Sequence, residues 1–131
     1  PDFELHTEKA RAVLPASYVR SDVVHNIGAV SFLMAAFMYN KPEYLKFGLD
    51  DHVHVPYRLG LIPGSEEVIR SSVKAGAYGA TISGSGPTII AFSPSDKAHL
   101  VGESMVSTFK HHGITSSYIV LDFDQSGISA V

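Results

Sequence analysis

The stretch Ala77-Tyr78-Gly79-Ala80-Thr81-Ile82-Ser83-Gly84-Ser85-Gly86-Pro87-Thr88-Ile89-Ile90-Ala91-Phe92-Ser93 decides how this chain is built. Residues 77–83 and 88–93 read as two strands, and Gly84-Ser85-Gly86-Pro87 between them reads as a tight turn. Downstream, Ser95 is placed to cap a helix. Its Ala98, Val101, Met105 and Phe109 recur at helical spacing until Gly113 stops it. Residues 117–123 read as a final strand. Upstream, Ser65 with Glu66 and Glu67 opens a helix that carries Val68, Ile69 and Val73 inward and ends near Gly76.

The first half of the chain has a different period. Polar and apolar residues alternate over 2–7, which predicts a short strand. Glu8 to Leu14 makes a helical turn or two that Pro15 ends. Ser17 or Ser21 is placed to cap the next helix, with Asp22 near its positive end, and this helix runs to about Tyr39. Val23, Ile27, Val30, Met34 and Phe37 fall on one of its faces, while Gly28, Ala29, Ser31, Ala35 and Ala36 keep the rest thin. That pattern predicts a central, largely buried helix. Residues 43–49 read as another short helix. Residues 50–58 read as a polar, irregular segment in which Pro56 closes a helical turn, and 61–64 as a loop. Without the helical insertion between Pro15 and Gly76, the order is strand, helices, strand, strand, helix, strand. This is an α+β fold on the ferredoxin-like split βαβ plan, a four-stranded antiparallel sheet with helices packed on one face. The 131 residues suit one domain, 1–131.

Composition narrows the chemistry. The chain has no cysteine, so disulfides, thiolate zinc sites and a Cys nucleophile are excluded, and a reducing cytoplasm is consistent with it. The formal net charge is -3 and the ten Lys and Arg are scattered, which argues against a nucleic-acid partner. No uninterrupted apolar run reaches the roughly 18 residues that span a bilayer, and Pro1-Asp2-Phe3-Glu4 is unlike a signal peptide.

Candidate functional residues follow. Gly84 and Gly86 permit positive φ and close approach of a ligand, although a plain hairpin would use the same residues. The loop is not a Walker motif, since no Lys follows the glycines. Arg11 and Arg58 stand beside the breaks at Pro15 and Pro56, where a guanidinium can point into a pocket and bind a carboxylate bidentately. Two solvated surface arginines are the simpler alternative. The seven His lack the spacing of a helical zinc site, so no metal is expected. His111-His112 complements the end of its helix.

Together these segments resemble one family. Thr7-Glu8-Lys9-Ala10-Arg11-Ala12-Val13-Leu14-Pro15 is similar to the T-x-x-A-R-x-x-L-P segment of homoserine kinases, and Asp22, Asn26 and Gly28 match the D-x-x-x-N-x-G pattern that follows it. Residues 51–58, Asp-His-Val-His-Val-Pro-Tyr-Arg, resemble D-x-x-H-x-P-Y-R, and 61–63 resemble the L-I-P beyond it. Residues 79–88 resemble the glycine-rich third motif of the wider GHMP kinase superfamily. The resemblance implies the carboxy-terminal domain of a two-domain cytoplasmic kinase that phosphorylates L-homoserine with ATP on the route to threonine. It implies that ATP and Mg²⁺ are bound mainly by an amino-terminal domain, whose glycine-rich nucleotide loop nothing here matches. It assigns the homoserine carboxylate to Arg11 and Arg58, the vicinity of the reacting hydroxyl to Thr7, and closure of the site to Gly84, Ser85 and Gly86. The expected partners are L-homoserine and the amino-terminal domain, with room for a homodimer and none for a membrane or nucleic acid. A mevalonate-type kinase of the same superfamily and a free-standing amino-acid-binding regulatory module are the alternatives.

Overall fold

The computed structural model of the chain describes residues 1–124 and Gly127. Strands β1 (Gly79–Ile82) and β2 (Ile89–Phe92) pair antiparallel, with Ile82 opposite Ile89 and Gly79 opposite Phe92. The turn is closed by Ser83 N–H donating to Thr88 O at 2.8 Å and Gly86 N–H to Ser83 O at 3.0 Å. Because side chains alternate across a strand, Ala80, Ile82 and Ile89 enter a core with Ile62, Val68 and Phe109.

Helices are designated in chain order α1 (Thr7–Ala12), α2 (Arg20–Met38), α3 (Leu45–Gly48), α4 (Val55–Arg58), α5 (Ser65–Lys74) and α6 (Ala98–His111). Helix α6 buries Val101 and Phe109 and is tied to α5 through Thr108, whose hydroxyl donates to Ser71 Oγ at 2.9 Å. On α5, Val68 is fully buried, but Val73 is exposed rather than inward. Gly64, not Ser65, is the N-cap of α5; Ser65 is buried and donates its hydroxyl to Leu59 O at 3.0 Å.

Helix α2 departs most from expectation. Its cap is Val19, with no side-chain cap bond, so neither Ser17 nor Ser21 serves. Its buried residues are Ala29 and Ala36, whereas the stripe of Val23, Ile27, Val30, Met34 and Phe37 is exposed, Ile27 to 64% and Met34 to 53%. The reason is steric. Small side chains let α3 and the 3₁₀ turn Pro42–Tyr44 approach the α2 backbone, and the bulky stripe is left on the other side. By length and composition α2 is the one helix among the described residues that suffices to cross a membrane. Its Asp22, His25 and Asn26 are nonetheless bonded to residues 50–52, which holds it against the rest of the chain.

The expected four-stranded sheet is not present among the described residues, where the ladder has two strands. Residues 2–7, read as a strand from their alternation, and 117–123, read as a final strand, form no ladder, and Thr7 instead opens the helix Thr7–Ala12. Asp2 N–H donates to Thr115 O at 2.8 Å, joining the two ends at one point. Alternation marks a segment able to pair, while pairing itself needs a neighbour in register. Pro56 likewise opens α4 instead of closing a helical turn, since it lies in the first turn, where a missing N–H costs nothing.

Candidate functional site

Helices α1, α2 and α4 and the β1–β2 turn border one cleft of about 580 Å³. Thr7 opens α1 and Arg11 lies four residues on, so one helical face presents both to the cleft. Arg58, the last residue of α4, also lines it. Its Nε donates to Ala10 O at 3.1 Å and its Nη1 to Gly84 O at 3.0 Å. One guanidinium thus braces α1 against the glycine turn. A guanidinium has five N–H donors, so these two bonds leave three for a ligand. Among the described residues no hydrogen bond or ion pair engages the Arg11 side chain, whose backbone carbonyl accepts Leu14 N–H at 3.1 Å, and no carboxylate pairs with Arg58.

The turn contributes Gly84 and Ser85 to the cleft wall. Gly84 has φ +59° with open space around a would-be Cβ. Gly86 has φ +88°, and a Cβ there would lie 2.8 Å from Ile62 Cδ1. Gly84 therefore needs glycine for its backbone angle, and Gly86 also for the close approach of the core. Gly86 does not line the cleft.

Asp51 and Asn26 organise the approach to α4. Asp51 Oδ1 accepts the backbone N–H groups of Val53 (2.9 Å), His54 (2.5 Å) and Val55 (2.9 Å), which satisfies the start of α4 from outside the helix. Asp51 Oδ2 accepts from Asn26 Nδ2 at 3.0 Å, and Asn26 Oδ1 accepts His52 N–H at 2.8 Å. The segment that carries Arg58 is in this way pinned to α2. Burial pushes the Asp51 carboxyl up, but bonds from His54, Val55 and Asn26 outweigh it and hold the group below its ordinary value of 3.8. Sequence reasoning gave neither residue a role, although both stand in the patterns quoted for residues 22–28 and 51–58. On the outer side of this segment, His25 and His52 stack at 3.8 Å beside Asp50, with His25 Nε2 3.1 Å from Asp50 Oδ2. His112, at the end of α6, pairs with Glu67 at 2.6 Å.

The cleft thus gathers the guanidinium groups of Arg11 and Arg58, the Thr7 hydroxyl and the glycine turn, with the carboxylates of Asp50 and Asp51 on the same wall. The family described as GHMP kinases C terminal matches residues 40–111, and the chain belongs to it. It is similar to proteins named homoserine kinase. That of Desulfitobacterium hafniense is 40% identical over 131 residues, all of this chain and 44% of the relative. That of Carboxydothermus hydrogenoformans is 44% identical over 127 residues, 97% of this chain and 41% of the relative. The crystal structure of homoserine kinase from Cytophaga hutchinsonii matches with a TM-score of 0.80 at 35% identity, over 85% of this chain and 36% of that one. The chain spans about two fifths of the length of these relatives.

Proposed function

We propose that this chain is the acceptor-binding, carboxy-terminal domain of a homoserine kinase, which transfers the γ-phosphoryl group of ATP to the hydroxyl of L-homoserine. The observation that carries the reading is that Arg11 and Arg58, far apart in sequence, border one cleft and have no carboxylate partners among the described residues. A zwitterionic acceptor brings one carboxylate, which two guanidinium groups hold and orient. Arg58 is fixed by Ala10 and Gly84 before the ligand arrives, so little freedom is lost on binding. Thr7 then stands beside the reacting hydroxyl, and Gly84 and Ser85 close the site, with Gly86 shaping the turn behind them. Phosphoryl transfer depends on positioning and electrostatics, so the two halves of a cleft can lie on separate domains.

The residues of this cleft do not suit Mg²⁺. Both Asp51 oxygens are spent on N–H donors and Asp50 faces His25 and His52, which leaves no set of hard oxygen ligands. The reading therefore assigns ATP and Mg²⁺ to the amino-terminal domain, with residues 1–131 as a single unit of a cytoplasmic protein. It also takes residues 2–7 and 117–123 as the outer strands of a four-stranded sheet, a view supported by the alternation of 2–7 and by the bond from Asp2 to Thr115.

The test is to incubate the full-length protein with ATP, Mg²⁺ and either L-homoserine or mevalonate and to identify the product by mass spectrometry. O-Phosphohomoserine and no phosphomevalonate is the expected result. Phosphorylation of mevalonate alone would move the chain elsewhere in its superfamily.

A further inference from the structure

Helix α2 presents Val23, Ile27, Val30 and Met34 to solvent, with Val24 and Met38 beside them, on the side opposite Ala29 and Ala36. An apolar stripe of this length along one helix is unusual on a free surface and marks a face that something covers. We infer that the covering partner is the amino-terminal part of the same protein, docked along the exposed stripe of α2. The inference rests on the two-domain reading above and adds the surface at which the halves join.

Three observations choose this occupant. The relatives of this chain are more than twice its length, since it covers 41% and 44% of two of them, so a partner segment of domain size belongs to the same polypeptide. The stripe is continuous with the cleft, because Val30 belongs to both and its neighbours Asn26, Ala29 and Leu33 line the cleft wall. A phosphoryl donor must reach an acceptor held by Arg11 and Arg58, so the domain that seats it has to stand at this rim. The remaining end of the stripe is already partly covered from within, since Phe37 packs against Phe92 at 6.1 Å and Phe123 at 5.5 Å between ring centres. The open part is therefore the part nearest the cleft.

Residues 1–131 hold no cysteine, so a Cys introduced among them is the one thiol on its own peptide. In the full-length protein, Ile27→Cys, Met34→Cys and, as a reference on α6, exposed Glu103→Cys would be labelled with a thiol reagent and read by mass spectrometry of the peptide concerned. Labelling at 27 and 34 is expected to be at least about tenfold slower than at 103, to stay so on dilution, and to become equal in urea, as a face closed by about 1.4 kcal/mol or more requires. Equal rates in the native protein would overturn the inference. Protection that disappears on dilution, together with a dimer-to-monomer change in light scattering, would assign the stripe to a second copy and overturn it as well. Kinase activity is measured on the same samples. Activity with an open stripe refutes the docking alone, and a protected stripe without homoserine phosphorylation refutes the functional reading alone.

Discussion

Arg11 and Arg58 carry the same charge but differ in their bonds, and substitution should separate binding from folding. The Arg11 side chain has no hydrogen-bond or ion-pair partner among the described residues, so Arg11→Leu in the full-length protein should weaken homoserine binding with almost no change in stability. A charge-assisted contact is worth roughly 1.5–3 kcal/mol, or about one to two orders of magnitude in KM for homoserine. Arg58→Leu should lose as much and also lower stability by about 1 kcal/mol, because Ala10 O and Gly84 O lose their donor. Steady-state kinetics and urea denaturation check both; an unchanged KM for homoserine in both variants would end the clamp. The KM for ATP should move far less. Asp51 gives a pH prediction. Its carboxyl is held below 3.8, so its contribution to stability is complete above that value and is lost as pH falls through the lowered one. Asp51→Asn should therefore lower the urea midpoint at neutral pH, and the difference from the parent should close in acid. A gap that stays constant down to about pH 2 would show that the carboxylate does not hold the start of α4.

Among the elements, the β1–β2 turn joins core to cleft through two glycines with different demands. Gly84→Ala meets only the left-handed backbone penalty, about 1–2 kcal/mol, while Gly86→Ala adds a clash with buried Ile62. Gly86→Ala should therefore be the less stable of the two by urea denaturation. Gly84→Ala should cost proportionately more in kcat/KM than in stability, since the Gly84 carbonyl holds Arg58. Equal stabilities would place no close packing at Gly86. The two strands, α5 and α6 were legible from period and punctuation, and the residues that carry them lie within two or three positions of expectation. Helix α2 was legible in extent and misread in orientation. A run of large apolar residues on one face and small ones on the other fits burial of either face, and the choice falls to whichever neighbour packs more closely.

On the proposed function, the whole molecule holds one side of a reaction site. With the nucleotide seat assigned to another domain, the isolated chain should show no phosphorylation of homoserine above a no-protein control with ATP and Mg²⁺. Turnover by a contaminant-free preparation would mean that this cleft binds the donor too.

By itself, the sequence determined the family, through an ordered set of motifs from Thr7 to Phe92, and the strand–turn–strand at its centre, through glycines where the backbone must reverse. Through those motifs it also singled out Arg11 and Arg58, which by composition and spacing alone pass for solvated surface arginines. Tertiary structure alone decided that these arginines, 47 positions apart, border one cleft, and that Asp51 and Asn26 fix the segment between them. It decided too which side of α2 is buried. Local sequence sets backbone angles and amphipathic period, whereas contact between distant positions depends on how closely whole elements approach, and that is fixed only when the small residues of α2 meet α3.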